Sequence, residues 1–173
     1  MLRSPWFVVL LMSISVINSS HADDDFLQKS FGDFKEELKT AKAKNKKAIF
    51  LFFEQKDCPF CHRMKTTIFT QANVQKYFKQ NFLIYSVDIE QSEEITDFQG
   101  KSTTQKKFFE VIGRKRGGTP LMAFFDTNGK LITRFIGATS STEEFMLLGK
   151  YVAEGHYKKM PFTRYKRSNR VAL

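Results

Sequence analysis

The apolar positions of this chain alternate between helical and strand spacing. Phe26, Leu27, Phe31, Phe34, Leu38 and Ala41 recur at three- and four-residue intervals and predict a first helix over about 25–44. Its lysines gather toward the end, where the helix dipole is negative. Asn45-Lys46-Lys47 breaks it. Residues 48–54, Ala-Ile-Phe-Leu-Phe-Phe-Glu, are too continuously apolar for a half-exposed strand. They predict a strand covered on both faces, as in a mostly parallel sheet. After the polar loop Gln55-Lys56-Asp57, Cys58-Pro59 opens a second helix that runs to about Phe69, and Val74, Tyr77 and Phe78 carry a further helical segment. Residues 82–88 predict another central strand.

Residues 89–103 are polar, acidic in their first half, and read as a long loop. Phe108, Phe109 and Ile112 place a helix over 104–112, and the stretch 113–118 is basic and glycine-rich. Residues 121–126 and 130–136 flank Thr127-Asn128-Gly129, and the Asn-Gly pair predicts an antiparallel hairpin. Thr142 starts the last helix, with Glu143 and Glu144 in its first turn, Phe145, Leu148 and Val152 as its buried stripe and Gly155 at its end. This order predicts an α/β fold: a central mixed sheet with helices on both faces, in a single domain.

The N-terminus reads as an address. Arg3 gives a positive start, and an apolar run of twelve residues from Trp6 to Ile17 follows. That run is shorter than the roughly 20 residues a spanning helix needs. Asn18-Ser19-Ser20-His21-Ala22 then offers small residues at −3 and −1 for cleavage after Ala22. The pattern predicts a secretory signal peptide over 1–22, hence export to a compartment where disulfides can form and persist. The domain is expected over 23–157, with a basic tail over 158–173.

Composition narrows the class. Apolar residues make up 42% and charged residues 27% of 173, which is too apolar for a disordered chain and too charged for a membrane-embedded one. The net charge is +10, and the tail contributes Lys158, Lys159, Arg164, Lys166, Arg167 and Arg170 with no acid after Glu154. Export argues against nucleic acid as the partner of this charge and points to anionic lipid or an acidic protein. There are two cysteines, Cys58 and Cys61, so neither a disulfide framework nor a four-cysteine zinc site can be built.

Their setting carries chemistry. A cysteine at a helix N-terminus lies among unpaired N–H groups and partial positive charge, so its thiolate is populated near neutral pH. Pro59 suits the first turn, where no N–H partner is needed. Cys61, about one turn later, can close a disulfide with Cys58. Cys58 would then attack a substrate disulfide, Cys61 would resolve the mixed disulfide, and the second cysteine should be the more buried. Far along the chain, Gly117-Gly118-Thr119-Pro120 precedes a strand, which fits a tight turn with a cis bond.

With these blocks the chain resembles the thioredoxin superfamily over nearly all of its expected mature length, which implies a three-layer α/β/α thioredoxin-like fold. The resemblance assigns Thr119 and Pro120 to the cis-proline loop that faces the active pair and holds an extended substrate peptide. Phe53-Glu54-Gln55 before Cys-Pro-Phe-Cys, Val87-Asp88, Glu94-Ile95-Thr96-Asp97-Phe98, Gly118-Thr119-Pro120, Tyr151-Val152-Ala153-Glu154-Gly155 and Pro161-Phe162 with Arg164-Tyr165 look like the SoxW-type periplasmic thioredoxins of sulfur-oxidising bacteria. This likeness implies an exported, periplasmic thiol-disulfide oxidoreductase; the chain is expected to act on protein thiols and disulfides as a monomer. It implies a membrane electron donor for recycling and no dissociable cofactor.

The chain departs from ordinary thioredoxin in three places. Phe52 stands where that family has a buried Asp that assists proton transfer, and Glu54 is the nearest acid to take the role. Asp57 replaces the usual Trp before the first cysteine; it could cap the helix, while its charge opposes thiolate formation. The 89–103 loop is longer than a minimal thioredoxin needs, and is expected either to shape the partner surface or to be a passive insertion.

Rival readings use the same residues. Cys58-Pro59-Phe60-Cys61-His62 is also C-x-x-C-H, the attachment signature of c-type haem, with His62 as axial ligand and Met64, Met122 or Met160 opposite. The buried strand before it and the Thr-Pro hairpin after it count against that reading. A zinc or copper site would have the two cysteines and His62, with His156 remote. A disulfide oxidase or isomerase would use the same two cysteines as a reductase.

Overall fold

The computed structural model describes residues 26–114 and 118–169. The expected signal peptide, Gly117 and the last four residues lie outside them. The elements run β1 (Gln28–Lys29), α1 (Phe34–Ala43), β2 (Ala48–Glu54), α2 (Pro59–Arg63), a π-helical turn (Met64–Ile68), α3 (Ala72–Asn81) and β3 (Phe82–Asp88). They continue with β4 (Glu94–Thr96), β5 (Ser102–Thr104), α4 (Gln105–Gly113), β6 (Leu121–Phe125), β7 (Leu131–Ile136), α5 (Thr142–Ala153), a 3-10 turn (His156–Lys158) and α6 (Phe162–Asn169). The main sheet has the order β1-β3-β2-β6-β7. β1, β3 and β2 are parallel, whereas β6 runs antiparallel to both β2 and β7. It is the mixed sheet read from the sequence.

Alternation along β2 explains its unbroken apolar run. Ala48, Phe50 and Phe52 point into one core with α3 and α5, built around Phe78, Phe124 and Phe145. Ile49, Leu51 and Phe53 point into the other, with Phe34, Phe108 and Phe125. Both faces are covered, so every residue from Ala48 to Phe53 is fully buried. Phe78 and Phe145 stack with centroids 4.2 Å apart, and helix α5 reaches Phe78 closely because position 149 is glycine.

Three expectations are corrected. The helix expected over 25–44 starts at Phe34. Gln28 and Lys29 pair with Tyr85 and Ser86 as an edge strand, Gly32 turns the chain at φ 86°, and Asp33 caps α1 by accepting from the Glu36 amide at 2.9 Å. Phe31 therefore projects fully exposed, although it fits the helical spacing. The expected loop over 89–103 contains the β4–β5 hairpin. Ile95 and Phe98 anchor it in the core, Phe98 lying 4.3 Å from Phe125, and Asp97 Oδ1 accepts from the Gln99 and Lys101 amides at the turn. The basic tail expected from 158 onward forms α6 and packs on α5 through the buried Tyr165. Among the described residues no helix is long and apolar enough to cross a membrane.

Candidate functional site

The site forms where β2 ends. Cys58 follows a short polar loop and is itself the N-cap of α2: its Sγ accepts the Cys61 amide at 3.1 Å. Asp57, which could have capped the helix, is exposed, and Cys58 is the cap in its place. Pro59 occupies the first helical turn, where its missing N–H costs nothing. Cys58 and Cys61 are joined as a disulfide, with Cα atoms 5.2 Å apart. Cys61 is 1% exposed and Cys58 7%, so the first cysteine is the more exposed of the two. Phe60 between them is an exposed aromatic ring beside the pair.

Thr119 and Pro120 reach the same end of the sheet from the neighbouring strand. Leu121, the first residue of β6, sits opposite Phe53 near the end of β2, and the Thr119–Pro120 peptide is cis. The Pro120 carbonyl accepts from the Gly137 amide at 2.8 Å, while no backbone hydrogen bond engages Thr119 among the described residues. Ile136, exposed at the end of β7, pairs with Leu121 beside this loop. The sheet register thus brings the dithiol, the Thr119–Pro120 turn and two exposed apolar side chains, Phe60 and Ile136, to one end of the sheet from distant parts of the chain.

Glu54, at the end of β2, and His62, next to Cys61, adjoin the pair in sequence, whereas Met122, Met160 and His156 lie further along the chain. Glu54 accepts from Lys65 Nζ at 2.5 Å and from Ser86 Oγ at 2.6 Å, so each of its oxygens is already engaged. It is 15% exposed, and its partner Lys65 is an exposed lysine at 43%. Phe52 is fully buried and meets Phe69 edge-on at 5.1 Å, which makes the usual place of the buried acid hydrophobic. His62 is exposed, whereas Met64 and Met122 are fully buried. Met64 Sδ accepts the Thr139 hydroxyl at 3.5 Å. Met160 lies partly buried after the 3-10 turn, with its carbonyl accepting from Tyr151 Oη. His156 pairs with Glu154 at 3.0 Å and stacks on Tyr165. Among the described residues no group of three or more His, Cys, Asp or Glu is placed to hold a metal ion.

Two features of the site were missed by the sequence reading. The π-helical turn, closed by the Phe69 amide on the Met64 carbonyl at 2.9 Å, has no signature in Met-Lys-Thr-Thr-Ile. Arg63 donates to the Thr139 carbonyl at 2.6 Å, a contact 76 positions apart that no local pattern reveals.

A family model for a thioredoxin-like domain matches residues 34–153. Among solved structures, a thioredoxin-fold protein from Helicobacter pylori is similar at 21% identity with a TM-score of 0.62, over 75% of this chain and 88% of its own. DsbH oxidoreductase is similar at 19% identity and TM-score 0.52, over 74% and 85%. A thioredoxin from Thermus thermophilus is similar at 22% and 0.51, over 69% and 83%. At these identities the likeness is one of fold. No curated protein matches the chain.

Proposed function

The chain belongs to the thioredoxin-like domain family and carries a thiol-disulfide oxidoreductase pair at Cys58 and Cys61, and from this premise we propose that it reduces disulfides of partner proteins. In the reduced enzyme the Cys58 thiolate attacks one sulfur of the substrate disulfide. The substrate's other sulfur leaves as a thiolate, and a mixed disulfide forms at Cys58. Cys61, deprotonated, then attacks Cys58 Sγ and expels the second substrate sulfur. The substrate gains two electrons, and the enzyme is left as the Cys58–Cys61 disulfide seen here. A dithiol donor restores it.

One observation carries this reading. The Cys61 amide points at Cys58 Sγ across the first turn of α2, the geometry that stabilises the leaving and attacking thiolate of the more exposed cysteine. Thr119 supplies the backbone edge for an extended substrate peptide. Among the described residues no backbone hydrogen bond engages it, which supports that role.

Export, and recycling by a membrane electron donor as in the SoxW-type proteins the sequence resembles, complete the proposal. The support is the Arg3 start, the apolar run and the Ala22 cleavage pattern. The test is insulin reduction with dithiothreitol as donor. Cys58→Ser abolishes turnover and Cys61→Ser accumulates a mixed disulfide with substrate; turnover by Cys58→Ser would end the proposal.

A further inference from the structure

The segment between β7 and α5 touches both halves of the site. At one end the Gly137 amide donates to the Pro120 carbonyl at 2.8 Å. In the middle, the fully buried Thr139 accepts from Arg63 Nη2 at 2.6 Å and donates its hydroxyl to Met64 Sδ at 3.5 Å. Arg63 and Met64 follow Cys61-His62 on the same helical stretch. This short segment therefore ties the dithiol helix to the Thr119–Pro120 edge.

The far end of the segment is fixed by one carboxylate. Glu144 Oε2 accepts from the Ser140 amide at 2.7 Å and from Ser140 Oγ at 2.5 Å, while Ser141 Oγ caps the Glu144 amide at 3.3 Å. Glu144 is only 6% exposed. Its other oxygen, Oε1, is held by Lys166 Nζ from α6. Helix α6 lies beyond residue 153, where the match to the thioredoxin-like family ends. It is pinned by Tyr165 against Tyr151 at 5.5 Å and by Phe162 against Phe135 of β7 at 6.0 Å.

We propose that Lys166, acting through Glu144, is a positioning residue for peptide-disulfide exchange: it holds the 137–141 segment that sets the Thr119–Pro120 edge against the Cys58–Cys61 helix. A buried carboxylate that loses one partner keeps its charge with less compensation, and the carboxylate moves or draws in water. The Ser140 bonds follow it, and with them the tie between Arg63 and Pro120. Small shifts of a positioning group cost large factors in rate when the substrate must be aligned on two surfaces. A small disulfide that needs only the sulfur does not use the peptide edge.

The inference rests on the proposed exchange activity, and the experiment separates the two. Lys166→Met, Lys166→Arg and Glu144→Gln are compared with wild type on insulin and on a small aromatic disulfide, with folding checked by urea unfolding. Lys166→Met is expected to lower kcat/KM for insulin about tenfold, mostly through KM. Its rate on the small disulfide stays within about twofold of wild type. Lys166→Arg restores the insulin rate, and Glu144→Gln behaves as Lys166→Met. Equal losses on both substrates, or none on either, would overturn the positioning role. Failure of wild type on both substrates would instead overturn the exchange activity.

Discussion

Cys58 Sγ accepts the backbone N–H of Cys61 at 3.1 Å, so the proposed nucleophile is held by the amide of the residue proposed to resolve its mixed disulfide. In the reduced protein this bond favours the thiolate. The Cys58 thiol is expected to titrate below the free-cysteine value of about 8.5, read from the pH dependence of its alkylation rate. Asp57→Asn, which removes the adjacent exposed negative charge, lowers that value further. A rise with Asp57→Asn would mean that other charges control the thiol.

Glu54 tests where the missing buried acid went. With Lys65 on one oxygen and Ser86 on the other, it is arranged as a strut between β2, β3 and the helix after the cysteines. Glu54→Gln is expected to lower exchange by less than about threefold and to leave the shape of the pH–rate profile unchanged. Loss of one limb of that profile would make Glu54 the proton carrier.

Gly149 lets α5 lie against the Phe78 ring. An added Cβ would meet Phe78 Cε2 and Cζ at 2.7 and 2.8 Å, and the ring is clamped in its stack with Phe145. Alanine improves helix propensity by about 1 kcal/mol, but overpacking costs about 1–3 kcal/mol. Gly149→Ala is therefore expected to lower the urea midpoint with no change in slope.

Glu144 makes an acid-limb prediction. Burial raises its pKa, but the Lys166 ammonium and the Ser140 hydroxyl and amide more than offset this, leaving the carboxyl below its usual 4.5. A carboxyl lowered in the folded state binds fewer protons there than when unfolded. Its stabilisation is present above pH 4.5 and disappears as pH falls through the lowered folded value. Unfolding midpoints measured against pH should show wild type losing stability below about pH 4.5, with a shallower decline in Glu144→Gln. Parallel declines would remove Glu144 from the account.

Much of this arrangement was legible in the residues, because it rests on local chemistry. The apolar run from Ala48 to Phe53 announced a strand covered on two faces, and Asn128-Gly129 announced the hairpin that presents Thr119–Pro120 beside β2. The order of burial at Cys58 and Cys61 followed from their place at a helix start. Long-range partners carried no such signal. Phe31 fits a helical stripe, but the positive φ of Gly32 ends the strand before it and turns the ring to solvent. The 89–103 stretch looked polar because few apolar residues, chiefly Ile95 and Phe98, anchor it. The tail looked like charge alone, although Phe162 and Tyr165 pack it down and place Lys166 on Glu144.

The reduction potential of the Cys58–Cys61 couple, measured by equilibration with a glutathione or dithiothreitol series, tests the central claim most directly. A dithiol that reduces partner proteins is expected near the thioredoxin value of about −270 mV. A value near −120 mV, that of a strong oxidase, would contradict it.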